Sequence, residues 1–253
     1  MKNKKLKIKI KFPTFLRTLE LFSVSMASCA VVFASALFFD QKKPEENGQG
    51  GYESPGIPLT AEITENSAEM VSSLFLILLG CMQNSQPDPL WKEAVTALNQ
   101  ALAYADDFMK DENQCRCVME GVYNSTQHTN IEIQDSAFEC LDNVFYLFYS
   151  YIPPFFEAFY NACEKAICGS YPETAIQACL TLVTLANVEK EREDLHQQTN
   201  ELCKKCGNQL VPYLCQIMTT KDEDDDSETM TLPTAAATCL RCFAEVMKDG
   251  MFY

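Results

Sequence analysis

The feature that most constrains this 253-residue chain is a recurrence. The stretches KEAVTAL, DSAFECL, ETAIQACL and PTAAATCL each place a small or aliphatic residue four positions before a leucine: Leu98, Leu141, Leu180 and Leu240. The leucines lie 43, 39 and 60 residues apart. A period near 40 with two helices in each period is the mark of stacked helical pairs, where every unit buries its apolar face only against its neighbours. The third interval is longer by about twenty residues and contains the acidic run Asp222, Glu223, Asp224, Asp225, Asp226. That run therefore reads as an insertion in a regular repeat, and insertions of this kind fall on one face, often the binding face.

Local periodicity agrees. Ala137, Leu141, Val144, Phe145 and Phe148 form one apolar helical face, and Phe155, Phe159, Ala162, Cys163, Ala166 and Ile167 form another. Pro153-Pro154 marks the start of the second and Gly169 its stop. Pro172 and Glu173 open a further helix whose face runs through Ile176, Leu180 and Val183. No sustained two-residue alternation and no Asn-Gly hairpin signal follows residue 62. The expected class is all-α, an α-solenoid over residues 62–253 with the acidic loop at 221–231.

Charge narrows the partners. The chain carries −15, yet Lys2, Lys4, Lys5, Lys7, Lys9, Lys11 and Arg17 give the first 17 residues +7, so the remainder holds −22. A body that acidic repels phosphate backbones, which argues against nucleic acid and for a basic partner segment. Residues 1–39 form a basic arm followed by an apolar stretch, and 40–61 form a linker rich in Gly, Pro and charge. The apolar stretch contains Ala34-Ser35-Ala36 and reads in three ways: a signal peptide or anchor, a buried helix, or a mispredicted first exon. Under the first reading Asn124-Ser125-Thr126 is a glycosylation sequon. Insertion of residues 21–39 is the one route by which a membrane becomes a partner.

Thirteen cysteines sit mostly within apolar helical patterns, as reduced thiols of a cytosolic protein do. Cys203-x-x-Cys206 and Cys239-x-x-Cys242 suggest zinc, but 32 residues separate the pairs. That exceeds the spacing of a compact four-cysteine site. Each pair also lies on an apolar face, with Leu202, Leu210 and Tyr213 in one and Val246 in the other. Core thiols are the expectation here and for Cys115-Arg-Cys117, and no metal or cofactor is expected. His128 and His196, at helix ends or in connectors, have no third group to make a triad. No phosphate loop or nucleophile elbow is present, so no enzyme is expected.

The stretch IEIQDSAFECLDNVFYLFYSYIPPFFEAFYNAC, followed by KDEDDDSETMTLPTAAATCL, resembles importin-β, the HEAT-repeat nuclear transport receptor family. The order of helices and the placing of the acidic loop carry the resemblance, over residues 64–250. It implies about four repeats from the N-terminal half of a much longer receptor, active in cytoplasm and nucleus. It also implies that Asp222, Glu223, Asp224, Asp225 and Asp226 meet the basic helix of an importin-α-like adaptor or a basic cargo segment, with a further contact to the GTPase Ran. The tryptophan that usually follows those acids is missing, since Ser227-Glu228-Thr229-Met230-Thr231 stands there.

The resemblance further implies a slot for nucleoporin phenylalanine-glycine repeats, walled by Leu74, Phe75 and Leu78 on one side and Gln114, Cys117 and Val118 on the other. Apart from the resemblance, these six residues read as inter-repeat core. The chain ends at Met251-Phe252-Tyr253, directly after the acidic-loop repeat. It is therefore expected to be a fragment, a truncated product or a degenerate paralogue whose last repeat needs a cover.

Overall fold

The computed structural model describes residues 72–83, 86–219 and 230–247. Residues 1–39, the linker 40–61 and Asp222 to Asp226 lie outside the described residues. Within them the chain forms four helical pairs. α1 (72–81) pairs with α2 (Asp88–Ala101), and α4 (Glu112–Thr126) with α5 (Ile131–Leu147). α6 (Phe156–Ile167) pairs with α7 (Pro172–Asp194), and α8 (Leu202–Met218) with α9 (Leu232–Met247). A 3₁₀ turn, Leu102–Tyr104, and a short α3, Asp106–Met109, join the first pair to the second. No strand occurs among the described residues. The fold is an α-solenoid of HEAT-type hairpins.

Local chemistry sets the helix starts. The Asp111 Oδ1 accepts the N–H groups of Asn113 and Gln114 at 3.0 Å each, capping α4. Asn130 accepts from Glu132 and caps α5 in the same way. Pro172 occupies the first position of α7, where a missing N–H costs nothing. Pro153 and Pro154 precede α6 in a turn, and the helix begins at Phe156. α6 stops at Ile167 with Cys168 as the cap, so Gly169 falls just past its end as expected, without a left-handed conformation.

The four recurrent leucines all fall on second helices, α2, α5, α7 and α9. These helices pack side by side in an unbroken row, whereas the first helices α4, α6 and α8 touch one another sparsely. Closer packing of one row than of the other curves the stack, with the second helices inside. Ala137, Leu141, Val144, Phe145 and Phe148 are buried as expected, and so are Phe159, Ala162, Cys163 and Ile167. Two details need correction. α7 buries Ala175, Ala178, Cys179, Leu182, Leu185 and Ala186, and leaves Ile176, Leu180 and Val183 only partly buried, Ile176 and Val183 packing against the edge of the core. It does so because α5, α6 and α9 crowd its other sides, where small residues fit. Tyr213 is exposed, because the buried stripe of α8 runs through Cys203, Cys206, Gly207, Leu210 and Leu214.

Candidate functional site

Two surfaces could carry recognition: the slot between the first helices α1 and α4, and the inner face of the second helices. The slot is tight. Phe75, Leu78 and Val118 are fully buried, and Phe75 stacks on Phe108 with ring centroids 4.8 Å apart. A methyl group added to Gly121 of α4 would lie 2.9 Å from Leu79 Cδ2, so the two helices are already in contact there. Leu74 and Gln114 are half-buried and Cys117 is exposed. The structure thus brings the six slot residues onto facing helices, but a ligand reaches only those three without parting the core. Cys115 and Cys117 point apart, Cys115 inward and Cys117 outward.

Polar side chains link neighbouring units. The buried Trp91 Nε1 donates to Ser125 Oγ at 2.8 Å, and the His128 ring meets the Trp91 ring edge-on at 4.7 Å. The Lys92 ammonium pairs with Glu132 at 2.7 Å, and the Asn143 carboxamide donates to Asn99 Oδ1 at 2.7 Å. Ser125 and Thr126 are buried in the last turn of α4, so the Asn124 sequon lies on a helix and not in the surface loop an acceptor occupies. His196 is exposed just after α7, far in sequence from any second histidine.

The joint between the third and fourth pairs was not legible from sequence. Glu189 of α7 is 1 % exposed. Its carboxylate accepts the Tyr149 hydroxyl at 2.5 Å and the N–H groups of Leu202 at 2.6 Å and Cys203 at 3.1 Å. It thereby caps α8 from a different helix, where the nominal N-cap, Glu201, is left-handed (φ 52°) and makes no cap bond. The Tyr149 oxygen in turn accepts the Asn200 N–H at 2.7 Å, and the Arg192 guanidinium lies over its ring. Burial, then the bond to Glu189, push the Tyr149 phenol well above its ordinary range. α8 ends at Met218, so this network fixes the helix from which the acidic insertion departs. The one available signal was that Glu189 is the first of four acids closing the helix, in VTLANVEKERED, and such a run reads as a solvated face.

Cys203, Cys206, Cys239 and Cys242 are buried beside Cys163 and Cys179. Burial pushes the Cys179 and Cys206 thiols up to about 12 and also raises the Cys163, Cys203 and Cys239 thiols. They are neutral core groups, and no cluster of three or more His, Cys, Asp or Glu among the described residues is arranged to hold a metal ion. No helix among the described residues is long and apolar enough to cross a membrane.

No protein-family model matches the chain. In sequence it is 25% identical over 195 residues to importin subunit beta-1 of Schizosaccharomyces pombe, covering 72% of this chain and 23% of that protein. To importin subunit beta-1 of Saccharomyces cerevisiae it is 26% identical over 193 residues, covering 71% and 22%. The chain thus spans about a quarter of the length of the curated relatives it matches. A crystal structure of importin beta from an ammonium sulfate condition superposes with a TM-score of 0.69 at 21% identity, over 77% of this chain and 24% of that one. A Kap95:Nup1 complex superposes with a TM-score of 0.65 at 21% identity, over 76% and 23%. Sequence and fold resemblance therefore fall on one protein type.

Proposed function

We propose that this chain, which resembles a stretch of importin-β HEAT repeats in both sequence and fold, is a non-catalytic recognition surface of nuclear transport, working in cytoplasm and nucleus. The carrying observation is that sequence comparison and fold comparison converge on importin beta, over 72% and 77% of this chain. In this reading Asp222, Glu223, Asp224, Asp225 and Asp226 capture lysine- and arginine-rich adaptor or cargo segments. Five carboxylates within about one Debye length raise the capture rate of such a segment more than its residence time. The Ran contact at the same loop belongs to the same proposal.

Nucleoporin phenylalanine-glycine repeats would bind at the rim of the α1–α4 slot, on Leu74, Gln114 and Cys117, with Phe75, Leu78 and Val118 as the floor beneath. The Kap95:Nup1 structure supports this reading by showing a solenoid of this fold in complex with Nup1. One observation favours a second reading, a HEAT scaffold without transport activity: the slot floor is closed by core packing, and Cys117 is a small side chain at its edge.

The test is fluorescence anisotropy of two labelled peptides on the full chain. Binding of a basic adaptor helix should be saturable, fall between low and physiological salt, and vanish when Asp224, Asp225 and Asp226 become Asn. Binding of a phenylalanine-glycine repeat should tolerate salt and weaken about tenfold in Cys117→Glu, which places a charge at an apolar contact. Loss of neither on mutation, or no binding at all by the folded chain, leaves the scaffold reading.

A further inference from the structure

Exposed aromatic and aliphatic side chains gather at the turn that leaves α5. Tyr146 and Leu147 close that helix at 60 % and 41 % exposure, and Tyr151 ends the 3₁₀ turn Tyr149–Tyr151 at 36 %. The same stretch fills the core with Val144, Phe145, Phe148, Tyr149 and Ile152, so these three are surplus to it. A singly exposed Tyr171 or Leu195 is ordinary surface, whereas three large apolar side chains at one turn make a patch.

The patch has an acidic border. α5 packs on the Leu102–Tyr104 turn of the preceding unit, which brings α3 alongside. Tyr151 shares the surroundings of the Lys110 ammonium with Asp106 and Asp107. Lys110 is engaged by Asp107 at 2.7 Å, while Asp106 is exposed and makes no ion pair among the described residues. Glu157, exposed in the first turn of α6, is likewise without one. The apolar centre thus has open carboxylate on the helix beside it and on the helix that follows it.

The backbone limits what can dock there. The N–H groups of Phe148, Tyr151 and Ile152 already bond to carbonyls of α5 and of the turn, so no ligand strand can be added. The patch lies on helix ends, not in the groove between parallel helices that a ligand helix needs. A polyproline II segment needs neither, because its backbone stays solvated and it docks by side chains alone. Its turn of three residues advances about 9 Å, close to the roughly 8–10 Å between packed helices. One turn therefore carries a side chain from Tyr151 to the unit of Asp106. Tyrosine rings receive proline, and an arginine can stack on the same rings while its guanidinium meets a carboxylate.

We propose that the turn of Tyr146, Leu147 and Tyr151 docks a proline-rich segment in the polyproline II conformation, its prolines on these three side chains and its arginines on Asp106 and Glu157. The residues belong neither to the acidic insertion nor to the α1–α4 slot, and the inference does not depend on a role in transport.

The experiment is fluorescence anisotropy of the labelled peptide (Arg-Pro-Leu)3 on the full chain with Asp224, Asp225 and Asp226 changed to Asn, which weakens competition from the acidic insertion. A three-residue period puts every arginine on one edge of the segment. Binding should be saturable and one to one, about tenfold weaker when Tyr146 and Leu147 both become Ser, and about threefold weaker in Asp106→Asn. These positions are exposed, so circular dichroism should show the variants folded as the parent is. The permuted peptide Arg-Arg-Arg-Pro-Leu-Pro-Leu-Pro-Leu keeps composition and charge but loses the period, and should bind about fivefold more weakly. Equal binding of the two peptides would reduce the attraction to charge, and unchanged binding by the serine variant would put the peptide elsewhere. A concentration-dependent dimer of the free chain that the serine changes abolish would give the patch to a second copy. Each of these, or no binding at all, overturns the proposal.

Discussion

The joint between the first two helical pairs and the joint between the last two do the same mechanical task with different chemistry. The first is held by dispersed contacts: the Trp91–Ser125 bond, the exposed Lys92–Glu132 pair, the Asn99–Asn143 bond and the close approach at Gly121. The last concentrates its polar work in one buried carboxylate, Glu189, and fills its interior with thiols. A joint of the first kind loses little when one contact goes. The second kind is tight but brittle, because its cap depends on one carboxylate and its core on buried thiols. In a stack where each unit is stabilised by its neighbours, such a joint is where unfolding begins.

Alkali should separate the two joints most. Cys163, Cys179, Cys203, Cys206 and Cys239 lie at the last joint, and each has its thiol raised by burial above the ordinary value of 9.0. The folded state therefore binds protons that the unfolded state has released. That stability is fully present below about pH 9 and is lost as pH rises toward the folded values, at about 1.4 kcal/mol per pH unit for each such thiol. Several thiols together amount to several kcal/mol within one unit. Hydrogen exchange followed by mass spectrometry between pH 8 and 10, corrected for intrinsic rates, should show α8 and α9 losing protection before α2 and α5. Simultaneous loss across all four pairs would mean that the joints are energetically one unit.

Glu189→Ala is the next largest effect. It leaves the Leu202 and Cys203 N–H groups and the Tyr149 hydroxyl without their acceptor in a buried site, a loss of about 3–5 kcal/mol. Glu189→Gln keeps the shape and one acceptor oxygen, so it should recover more than half of that. Denaturant midpoints for the two variants, read with a probe on α8, check the order. Equal destabilisation by both would assign the effect to the negative charge and not to the cap.

The repeat architecture was legible because it is written redundantly. Leu98, Leu141, Leu180 and Leu240 mark four second helices, and the faces of α5 and α6 follow the apolar period almost residue for residue. α7 departs because a helix packed against three neighbours has no single apolar stripe, and the stripe Ile176-Leu180-Val183 is only partly buried, at the edge of the core. The slot residues show the limit of reading a site from resemblance. Leu74, Phe75, Leu78, Gln114, Cys117 and Val118 do fall on facing helices, but sequence could not say how closely those helices approach, which Gly121 and Leu79 decide. Glu189 was invisible for a different reason: one acid among the several of a helix end looks solvated until a neighbouring helix is known to begin beside it.

The smallest effect tests the dispersed joint directly. Trp91→Phe keeps an aromatic ring in the pocket and removes the N–H that Ser125 accepts. Ser125 retains its own donation to the Gly121 carbonyl at 2.9 Å, so no donor is orphaned. The expected cost is about 1–2 kcal/mol, part lost hydrogen bond and part the smaller ring. Trp91–Ser125 joins α2 to α4, while Lys92–Glu132 and Asn99–Asn143 still join α2 to α5, so the loss should stay local, raising exchange in α2 while α8 keeps its protection. If Trp91→Phe instead lowers protection in α8 as well, the first joint is not a collection of independent contacts, and the two joints are coupled through the row of second helices that connects them.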